Sequence, residues 1–505
     1  MSARFMMQEN IKTIQPQNTL PSQSKSGLQY LVKPWAHQLN AIEKGSLANE
    51  LALFFEMGTG KTMTAINILR HWYLQAGFVK TTLILCPPIV IDQWEAEFKA
   101  HSKLAHHVVK LKGTGAKRLK LLKANLETPK IFITNYETML MEDVHLLLNG
   151  RVAFLICDES HKLKNIQAKR TKAVIKIADR TEKRLILTGS PILNSPMDIF
   201  SQFRVLDKGA SFGQNFFVFR GRYFYDRNAG MAPQSYFPDW RPRPGIDVEF
   251  NEIIYRKALK AVKQDCLDLP PLVKVKLPVE MTPKQAKLYK ELEDDFITYL
   301  DDKACVATMA LTKILRLQQI TSGFIDLLKD GSQIEDNLHT QQEIEHDRLS
   351  ALEELLEEIP ESEKIIIWAP FRFNIEAIKG LLSKLGTGFC TIYGGQSEKE
   401  RTDGINAFRN SSDCRVCVAN PKAGGVGLNL IEASYSIYYG RGYSLEDDLQ
   451  SEARNYRGGS ERHSKVTRID LYAPGTIDEE IMEALHSKKS IADNILAIKE
   501  KLGRR

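Results

Sequence analysis

The sequence predicts an α/β protein with two parallel sheets in tandem and helical insertions between them. Short apolar runs rich in β-branched residues are each followed by a loop and a helical pattern, and this texture occurs twice along the chain. A mostly helical stretch separates the two occurrences. Near-continuous apolar strands that alternate with helices are typical of parallel sheets covered on both faces. With 505 residues, the chain has room for about three domain-sized units.

Ten apolar runs are predicted as strands, five in each half. They are residues 51–55, 82–86, 131–134, 154–157, 184–188, 364–368, 388–393, 414–419, 436–439 and 466–471. The predicted organisation is a flexible leader (1–27), a first domain (28–272) with a helical excursion near 203–265, a linker with a helical protrusion (273–348), a second domain (349–490) and a tail (491–505).

Charge and cysteine content restrict the class of protein only moderately. Lys and Arg number 69 and Asp and Glu 62, so the net charge of +7 permits a polyanionic partner without requiring one. The 7 cysteines are scattered, and several lie within predicted strands, which favours a reduced compartment. Apolar runs stay far below the ~20 residues that span a bilayer. We therefore expect an intracellular, cytoplasmic protein without a membrane segment.

The strongest local motif is a glycine-containing turn at residues 56–62, between a predicted strand and a predicted helix. Glycines let backbone N–H groups curl around phosphates, and the helix N-terminus adds positive potential. Lys61 can reach the β- and γ-phosphates, and the Thr62 hydroxyl can bind Mg²⁺. The predicted nucleotide-binding residues of this turn are Met57, Gly58, Thr59, Gly60, Lys61 and Thr62.

An acidic pair follows a second strand of the same predicted sheet. Asp158 stands at the carboxyl end of that strand, where a magnesium ligand is expected, and Glu159 beside it can polarise the attacking water. Combined with the glycine turn, the pair predicts ATP hydrolysis. His161 adjoins the pair, and its position favours a role in coupling.

A pair of arginines marks the second predicted domain. Arg454 and Arg457 lie three residues apart, so a helix would place them on one face. Arginines from one domain can stabilise the developing charge on a γ-phosphate held by another. We therefore expect both to act in catalysis.

Three basic runs are candidates for contact with a nucleic-acid backbone. They lie within residues 110–123, 169–176 and 241–263. Each run alone is typical of a solvated face. Three such runs in an ATPase favour contact with the phosphate backbone of a nucleic acid, which does not depend on base sequence.

Taken in order, these motifs resemble those of the superfamily 2 helicases, and within them the SNF2 family of DNA translocases. Residues 34–38 (PWAHQ) resemble the adenine-recognising Q motif and residues 56–62 motif I. Residues 83–98 resemble motif Ia, in which the spacing of Trp94 and Phe98 is typical. The remaining matches are residues 158–165 to motif II, 187–200 to motif III, 420–430 to motif V and 450–460 to motif VI. The similarity covers about residues 28–490 and is closest to the compact SNF2-like proteins of bacteria and bacteriophages.

This resemblance implies two RecA-like domains, ATP and Mg²⁺ as cofactors, and DNA, expected to be double-stranded, as the partner. It implies catalytic roles for Lys61, Glu159, Arg454 and Arg457, and metal ligation by Thr62 and Asp158. Further nucleotide contacts are implied for Gln38, Gly427 and Gln450. The implied DNA-binding residues are Pro87, Thr134, Thr188, Ser190, Lys422, Ala423 and Gly424.

Two departures from the family pattern stand in the second domain. Ser460 occupies a position where the family usually has Gln, and residues 440–445 (GRGYSL) replace an Asp-x-x-Trp-Asn-Pro stretch. The predicted function is an ATP-dependent motor that translocates on or remodels DNA in replication, recombination or repair. A strand-separating or branch-migrating helicase, an ATP-switched DNA-binding scaffold without motor activity, and an RNA substrate remain open as alternatives.

Overall fold

The computed structural model describes residues 28–487 except 190, 193–194, 231–237, 302–306, 327–340 and 425–427. The predicted leader and tail, and the predicted site residues Ser190 and Gly427, lie outside this part of the chain. The chain divides into two compact units, Met1–Asp268 and Leu269–Arg505.

The first unit contains a parallel sheet covered by helices. Its helices are α1 (Ala36–Leu47), α2 (Lys61–Ala76), α3 (Ile91–His101), α4 (Gly115–Ala124), α5 (Glu142–Leu148), α6 (Lys169–Ala178), α7 (Ile199–Asp207), α8 (Phe216–Tyr223), α9 (Ile246–Tyr255) and α10 (Lys263–Cys266). Its strands are β1 (Glu50–Phe55), β2 (Thr82–Leu85), β3 (Val108–Lys110), β4 (Ile131–Thr134), β5 (Phe154–Asp158), β6 (Lys183–Leu187), β7 (Phe224–Asp226), β8 (Trp240–Pro242) and β9 (Ala258–Ala261). The sheet order is β3-β4-β2-β5-β6-β1-β9, with every pairing parallel, while β7 and β8 form a separate antiparallel pair.

The second unit repeats this architecture. Its helices are α11 (Pro283–Asp301), α12 (Ala307–Thr321), α13 (Arg348–Glu358), α14 (Arg372–Lys384), α15 (Glu398–Asn410), α16 (Pro421–Gly424), α17 (Leu445–Glu452) and α18 (Ile477–Ser487). Its strands are β10 (Leu272–Pro278), β11 (Phe324–Asp326), β12 (Gln341–Glu343), β13 (Lys364–Trp368), β14 (Phe389–Ile392), β15 (Val416–Ala419), β16 (Ala433–Tyr438) and β17 (Val466–Tyr472). The parallel sheet has the order β10-β17-β16-β13-β15-β14, and β11 pairs antiparallel with β12.

The predicted fold class is confirmed, and each of the ten predicted strands is present with small differences in its ends. The central strands are buried along their length, as β2, β4 and β15 show, because helices cover both faces of each sheet. Among the described residues, none of the helices has the length and apolar character needed to cross a bilayer.

Three strands of the main sheets were not predicted, and all three lie at a sheet edge. They are β3 and β9 at the two edges of the first sheet and β10 at one edge of the second. β10 falls in the segment expected to be a linker, and β9 in the one expected to be a helical excursion. Edge strands are half-solvated and carry charged side chains, so they lack a continuous apolar run. Val273 and Val275 of β10, for example, are 39% and 41% exposed and alternate with lysines.

Candidate nucleotide site

The glycine turn joins β1 to α2 at the carboxyl edge of the first sheet. Gly58 and Gly60 have φ of 86° and 81°, a left-handed region that favours glycine. The Thr59 hydroxyl donates to the Glu56 carbonyl at 2.7 Å and closes the turn. A Cβ atom on Gly60 would lie 2.1 Å from Gln38 Nε2, so any larger residue would displace the buried Gln38 side chain. The turn therefore needs glycine both for its backbone conformation and for its packing.

The predicted phosphate ligands stand where this turn enters the helix. Lys61 is the first residue of α2, and its ammonium group donates to the Phe55 carbonyl at 2.9 Å and approaches the Glu56 carbonyl at 3.4 Å. Thr62 follows it and is half-buried. The first N–H groups of a helix have no intrahelical acceptor and favour anions. The strand, turn and helix therefore form a cradle suited to phosphate groups, and Met57 lies within it.

The predicted Q motif packs directly on this cradle. Gln38 of α1 is 4% exposed and donates to the Thr59 carbonyl at 3.1 Å, while its own side-chain carbonyl accepts from the Trp35 amide at 2.9 Å. His37 Nε2 lies 2.9 Å from the same Thr59 carbonyl. Desolvation lowers the pKa of His37, an effect that the Thr59 carbonyl partly offsets, so the imidazole is neutral at pH 7 and donates through Nε2. His37 was not among the predicted site residues, although it lies within the recognised motif.

The acidic pair lies at the carboxyl end of β5. Asp158 is 7% exposed, and its two carboxylate oxygens accept from the Trp94 indole N–H at 2.8 Å and from the Glu159 amide at 3.0 Å. Glu159 has φ 50° and ψ 53°, a left-handed conformation that is rare for residues other than glycine. Its Oε2 atom is buried without a hydrogen bond, with His161 Nδ1 3.4 Å away. Left-handed backbone conformations at residues other than glycine cluster at functional sites.

The electrostatics of the pair favour a cation. Burial first, and then the neighbouring charge of Glu159, raise the pKa of Asp158 above its ordinary value. The hydrogen bond from Trp94 and the charge of Lys61 act in the opposite direction. A bound cation would relieve the repulsion between two carboxylates in this buried setting.

Strand β6 lies between β1 and β5, so the residues that follow it connect the glycine turn with the acidic pair. His161 Nδ1 lies 3.2 Å from the Thr188 hydroxyl. A Cβ on Gly189 would lie 3.3 Å from the Phe55 carbonyl oxygen, so the chain after β6 passes close to the start of the glycine turn. The segment after β6 therefore contacts both the glycine turn and the segment that follows the acidic pair.

Of the DNA-binding residues predicted in this unit, the three that the structure describes are buried. Pro87 follows β2, Thr134 ends β4 and Thr188 follows β6, and none of their side chains is exposed. The Thr134 hydroxyl donates to the Leu111 carbonyl at 3.1 Å and lies 2.8 Å from the Thr138 hydroxyl. These side chains support the sheet edge, and direct DNA contact by them stays a prediction.

The predicted arginine pair of the second unit is brought together by a turn, which differs from the predicted shared helix face. Helix α17 ends at Glu452, before both arginines. Arg454 is 5% exposed and donates to the carbonyl groups of Gln450 and Leu428, each at 2.8 Å. Arg457 approaches the same Leu428 carbonyl at 3.5 Å. The helix stops because the chain turns back to the sheet, where the Asn455 amide donates to the Ala433 carbonyl at 3.2 Å.

Other predicted residues of the second unit lie at the ends of its elements. Gln450 is 3% exposed and donates to Glu446 at 3.0 Å within α17. Lys422 is exposed on the short helix α16, which follows β15, and Gly424 ends that helix. The Ala423 carbonyl accepts from Arg401 at 2.8 Å.

The residues at the first site fit Mg²⁺ bound with a nucleotide. Within the described ranges, no cluster of three or more His, Cys, Asp or Glu side chains could hold a metal ion on its own. Mg²⁺ commonly takes only one or two protein oxygens and completes its shell with phosphate oxygens and water. Asp158 and Thr62 supply oxygens of this hard type, and the carboxylate of Glu159 is adjacent to Asp158 in the chain.

Together, the parallel sheets, the glycine turn and the acidic pair define the class of α/β proteins with a phosphate-binding loop. Residues 17–332 match the SNF2-related domain family, and residues 347–459 match the helicase conserved C-terminal domain family. The chain therefore belongs to the SNF2 family.

Proteins of known sequence resemble the chain over most of its length. An "uncharacterized ATP-dependent helicase" of Mycoplasma pneumoniae is 28% identical over 449 residues, which are 87% of this chain and 40% of the relative. A DNA repair and recombination protein RAD54-like of Drosophila pseudoobscura pseudoobscura is 25% identical over 481 residues, 87% of this chain and 60% of the relative. The chain thus spans 40% and 60% of the length of these relatives. Among solved structures, the Sulfolobus solfataricus SWI2/SNF2 ATPase core in complex with dsDNA is 23% identical, with 92% of each chain covered and a TM-score of 0.43.

Proposed function

We propose that the chain is the motor core of an ATP-dependent DNA translocase, which hydrolyses ATP to move along or remodel double-stranded DNA. The observation that carries this proposal is the assembly at one sheet edge of the glycine turn, the acidic pair and the His161–Thr188 contact. Such an edge can bind a nucleoside triphosphate and activate a water. It can also transmit the structural change caused by hydrolysis to the loop after β6. Family membership supports the same conclusion.

Each residue has a defined role in the proposed hydrolysis. The amide groups of the glycine turn and Lys61 bind the phosphates, and Gln38 stabilises the turn, with adenine as its proposed ligand. Thr62 and Asp158 would hold Mg²⁺, which neutralises phosphate charge when bound. Glu159 accepts the proton of the attacking water, because it is the carboxylate next to the proposed metal ligand Asp158.

We also propose that the second unit supplies positive charge to the transferred phosphate through Arg454 and Arg457. Their shared acceptor, the Leu428 carbonyl, supports this role because it holds both guanidinium groups close together. Prepositioned cations stabilise developing charge at little cost in reorganisation. Gln450, whose backbone carbonyl accepts from Arg454, is a proposed nucleotide contact beside them, together with Gly427.

DNA contact is proposed for α4 and for three residues of α16, Lys422, Ala423 and Gly424. Part of the first basic run is neutralised internally, since Lys110 and Lys112 pair with Asp92 at 2.8 and 2.6 Å. Three lysines of α4 remain exposed and recur at every third position, Lys117, Lys120 and Lys123. Lysines on one helix face can follow a phosphate backbone without reading base sequence.

The first test is the steady-state ATPase rate without nucleic acid and with double-stranded DNA, single-stranded DNA and RNA, at one fixed salt concentration. Strong stimulation by duplex DNA is the expected result. A preference for single-stranded or forked DNA would favour a strand-separating helicase. ATP-dependent DNA binding without phosphate release would contradict motor activity and favour an ATP-switched scaffold.

A variant of α4 tests the proposed backbone contact. Replacing Lys117, Lys120 and Lys123 by Gln should weaken stimulation by duplex DNA and leave the basal ATPase rate unchanged. If each lysine neutralises one phosphate, the slope of log affinity against log salt should fall by roughly two to three. The matched control replaces Lys384, an exposed lysine of the second unit that pairs with Glu353, by Gln. An unchanged slope in the α4 variant would remove this helix from the proposed DNA surface.

A further inference from the structure

Trp94 lies beside the acidic pair and has no assigned role in the proposed hydrolysis. It belongs to α3 and is 1% exposed, with its ring 6.2 Å from that of Phe98. Packing alone would explain an indole ring in this position. Packing does not explain the orientation of the polar edge of the ring, where the N–H group donates a hydrogen bond to Asp158 Oδ2 at 2.8 Å.

The donor set around Asp158 fixes its carboxylate in orientation. Oδ2 accepts from Trp94, Oδ1 accepts from the Glu159 amide at 3.0 Å, and the Asp158 backbone carbonyl accepts from the Tyr136 hydroxyl at 2.6 Å. The two carboxylate donors are neutral, so they hold the group without cancelling its charge. A carboxylate oxygen can accept more than one bond, so each keeps capacity to bind a cation. An indole N–H only donates, so it cannot itself ligate a metal ion.

We propose that Trp94 is a positioning residue for Asp158 and that its N–H group sets the affinity of the site for Mg²⁺ in the presence of nucleotide. This inference rests on the proposed function of the site. Hydrogen bonds to metal ligands orient them, and their loss typically reduces metal affinity by about 10- to 100-fold. The Trp94 indole is a neutral side-chain donor to the Asp158 carboxylate. It belongs to α3, whereas Asp158 belongs to β5.

The chain contains a matched control for this hydrogen bond. Trp72 of α2, in the same unit, is also 1% exposed, and its indole N–H donates to the Gly45 carbonyl at 2.9 Å. Replacing either tryptophan by Phe removes one buried hydrogen bond and some ring volume. Only the bond of Trp94 ends on a proposed metal ligand.

The experiment measures binding of a fluorescent non-hydrolysable ATP analogue to the full chain over a series of free Mg²⁺ concentrations. Trp94→Phe should shift the half-saturating Mg²⁺ concentration upward by about 10- to 100-fold, and leave analogue binding without Mg²⁺ unchanged. Trp72→Phe should leave both quantities at their original values. Equal Mg²⁺ dependence in the two variants and the unaltered protein would overturn the role of Trp94.

A second substitution separates orientation from packing. Benzothienylalanine at position 94 keeps the shape of the ring and replaces its N–H group by sulfur, so it removes the donor even if Trp94→Phe does not fold. The same upward shift is expected, and an unshifted Mg²⁺ dependence in this variant would contradict the proposal. Failure of the unaltered protein to bind the analogue at any Mg²⁺ concentration would overturn the proposed function itself, and this inference with it.

Discussion

Replacing Glu159 by Gln is expected to reduce ATP turnover by a factor of about 10² to 10⁴ while the variant still binds nucleotide. Glutamine has the shape of glutamate but cannot accept the proton of the attacking water. The measurement is phosphate release in single-turnover and steady-state assays, with nucleotide binding followed separately.

The same substitution should not destabilise the first unit. Glu159 Oε2 is buried without a hydrogen bond and lies near the carboxylate of Asp158, so removing its charge relieves an unfavourable interaction. A thermal midpoint equal to or above that of the unaltered chain is therefore expected, as at sites where function opposes stability. Glu182→Gln, at an exposed glutamate that pairs with Lys80, is the control and should retain full turnover. Normal turnover in Glu159→Gln would contradict the assignment of this site.

The parts of the fold that the sequence predicts are those in which burial dictates residue type. The central strands of both sheets carry continuous apolar runs because both of their faces are covered. The edge strands β3, β9 and β10 escape prediction since solvent on one side permits charged residues, and Lys274 and Lys276 interrupt the pattern of β10. The pairing of β10 with β17 joins segments far apart in the sequence, so no local sequence pattern predicts it.

In the candidate site too, some features could be predicted from the sequence and others could not. The glycine turn and the acidic pair are local in sequence, so their residues could be predicted together with their chemistry. Contacts between distant segments could not be predicted. The hydrogen bond from Trp94 to Asp158, for example, joins residues 64 positions apart. The shared helix face predicted for Arg454 and Arg457 was wrong because spacing alone does not reveal that α17 ends before them.

A buried network of charges in the second unit holds α17 against the sheet. Arg468 of β17 is 2% exposed, donates to Asp448 at 2.6 Å and to Glu452, and lies 4.1 Å from the Tyr438 ring. Asp448 and Glu452 are four residues apart on α17, so one guanidinium group spans a full turn of the helix. Arg441, from the stretch that departs from the family pattern, contributes a second guanidinium.

Asp470 joins Arg441 to this network through a hydrogen bond at 2.8 Å, while Lys274 pairs with Glu452 at 2.7 Å. Burial alone would raise the pKa of Glu452, but Arg468 and Lys274 lower it overall. A lowered pKa in the folded state means that the network contributes stability above the ordinary pKa of the carboxyl group. This contribution is lost as the pH falls through the folded-state value.

Replacing Arg468 by Met is therefore expected to destabilise the second unit by about 3–5 kcal/mol, because it leaves buried carboxylates without their main partner. Hydrogen exchange of the amides of β16 and β17 measures this unit separately and should accelerate by about 10² to 10⁴. Lys384→Met removes an exposed partner of Glu353 and should cost less than about 1 kcal/mol. Because α17 leads directly into the turn of Arg454, the Arg468 variant should also lose ATP turnover. Unchanged exchange in β17 would show that Arg441 and Lys274 alone compensate the carboxylates.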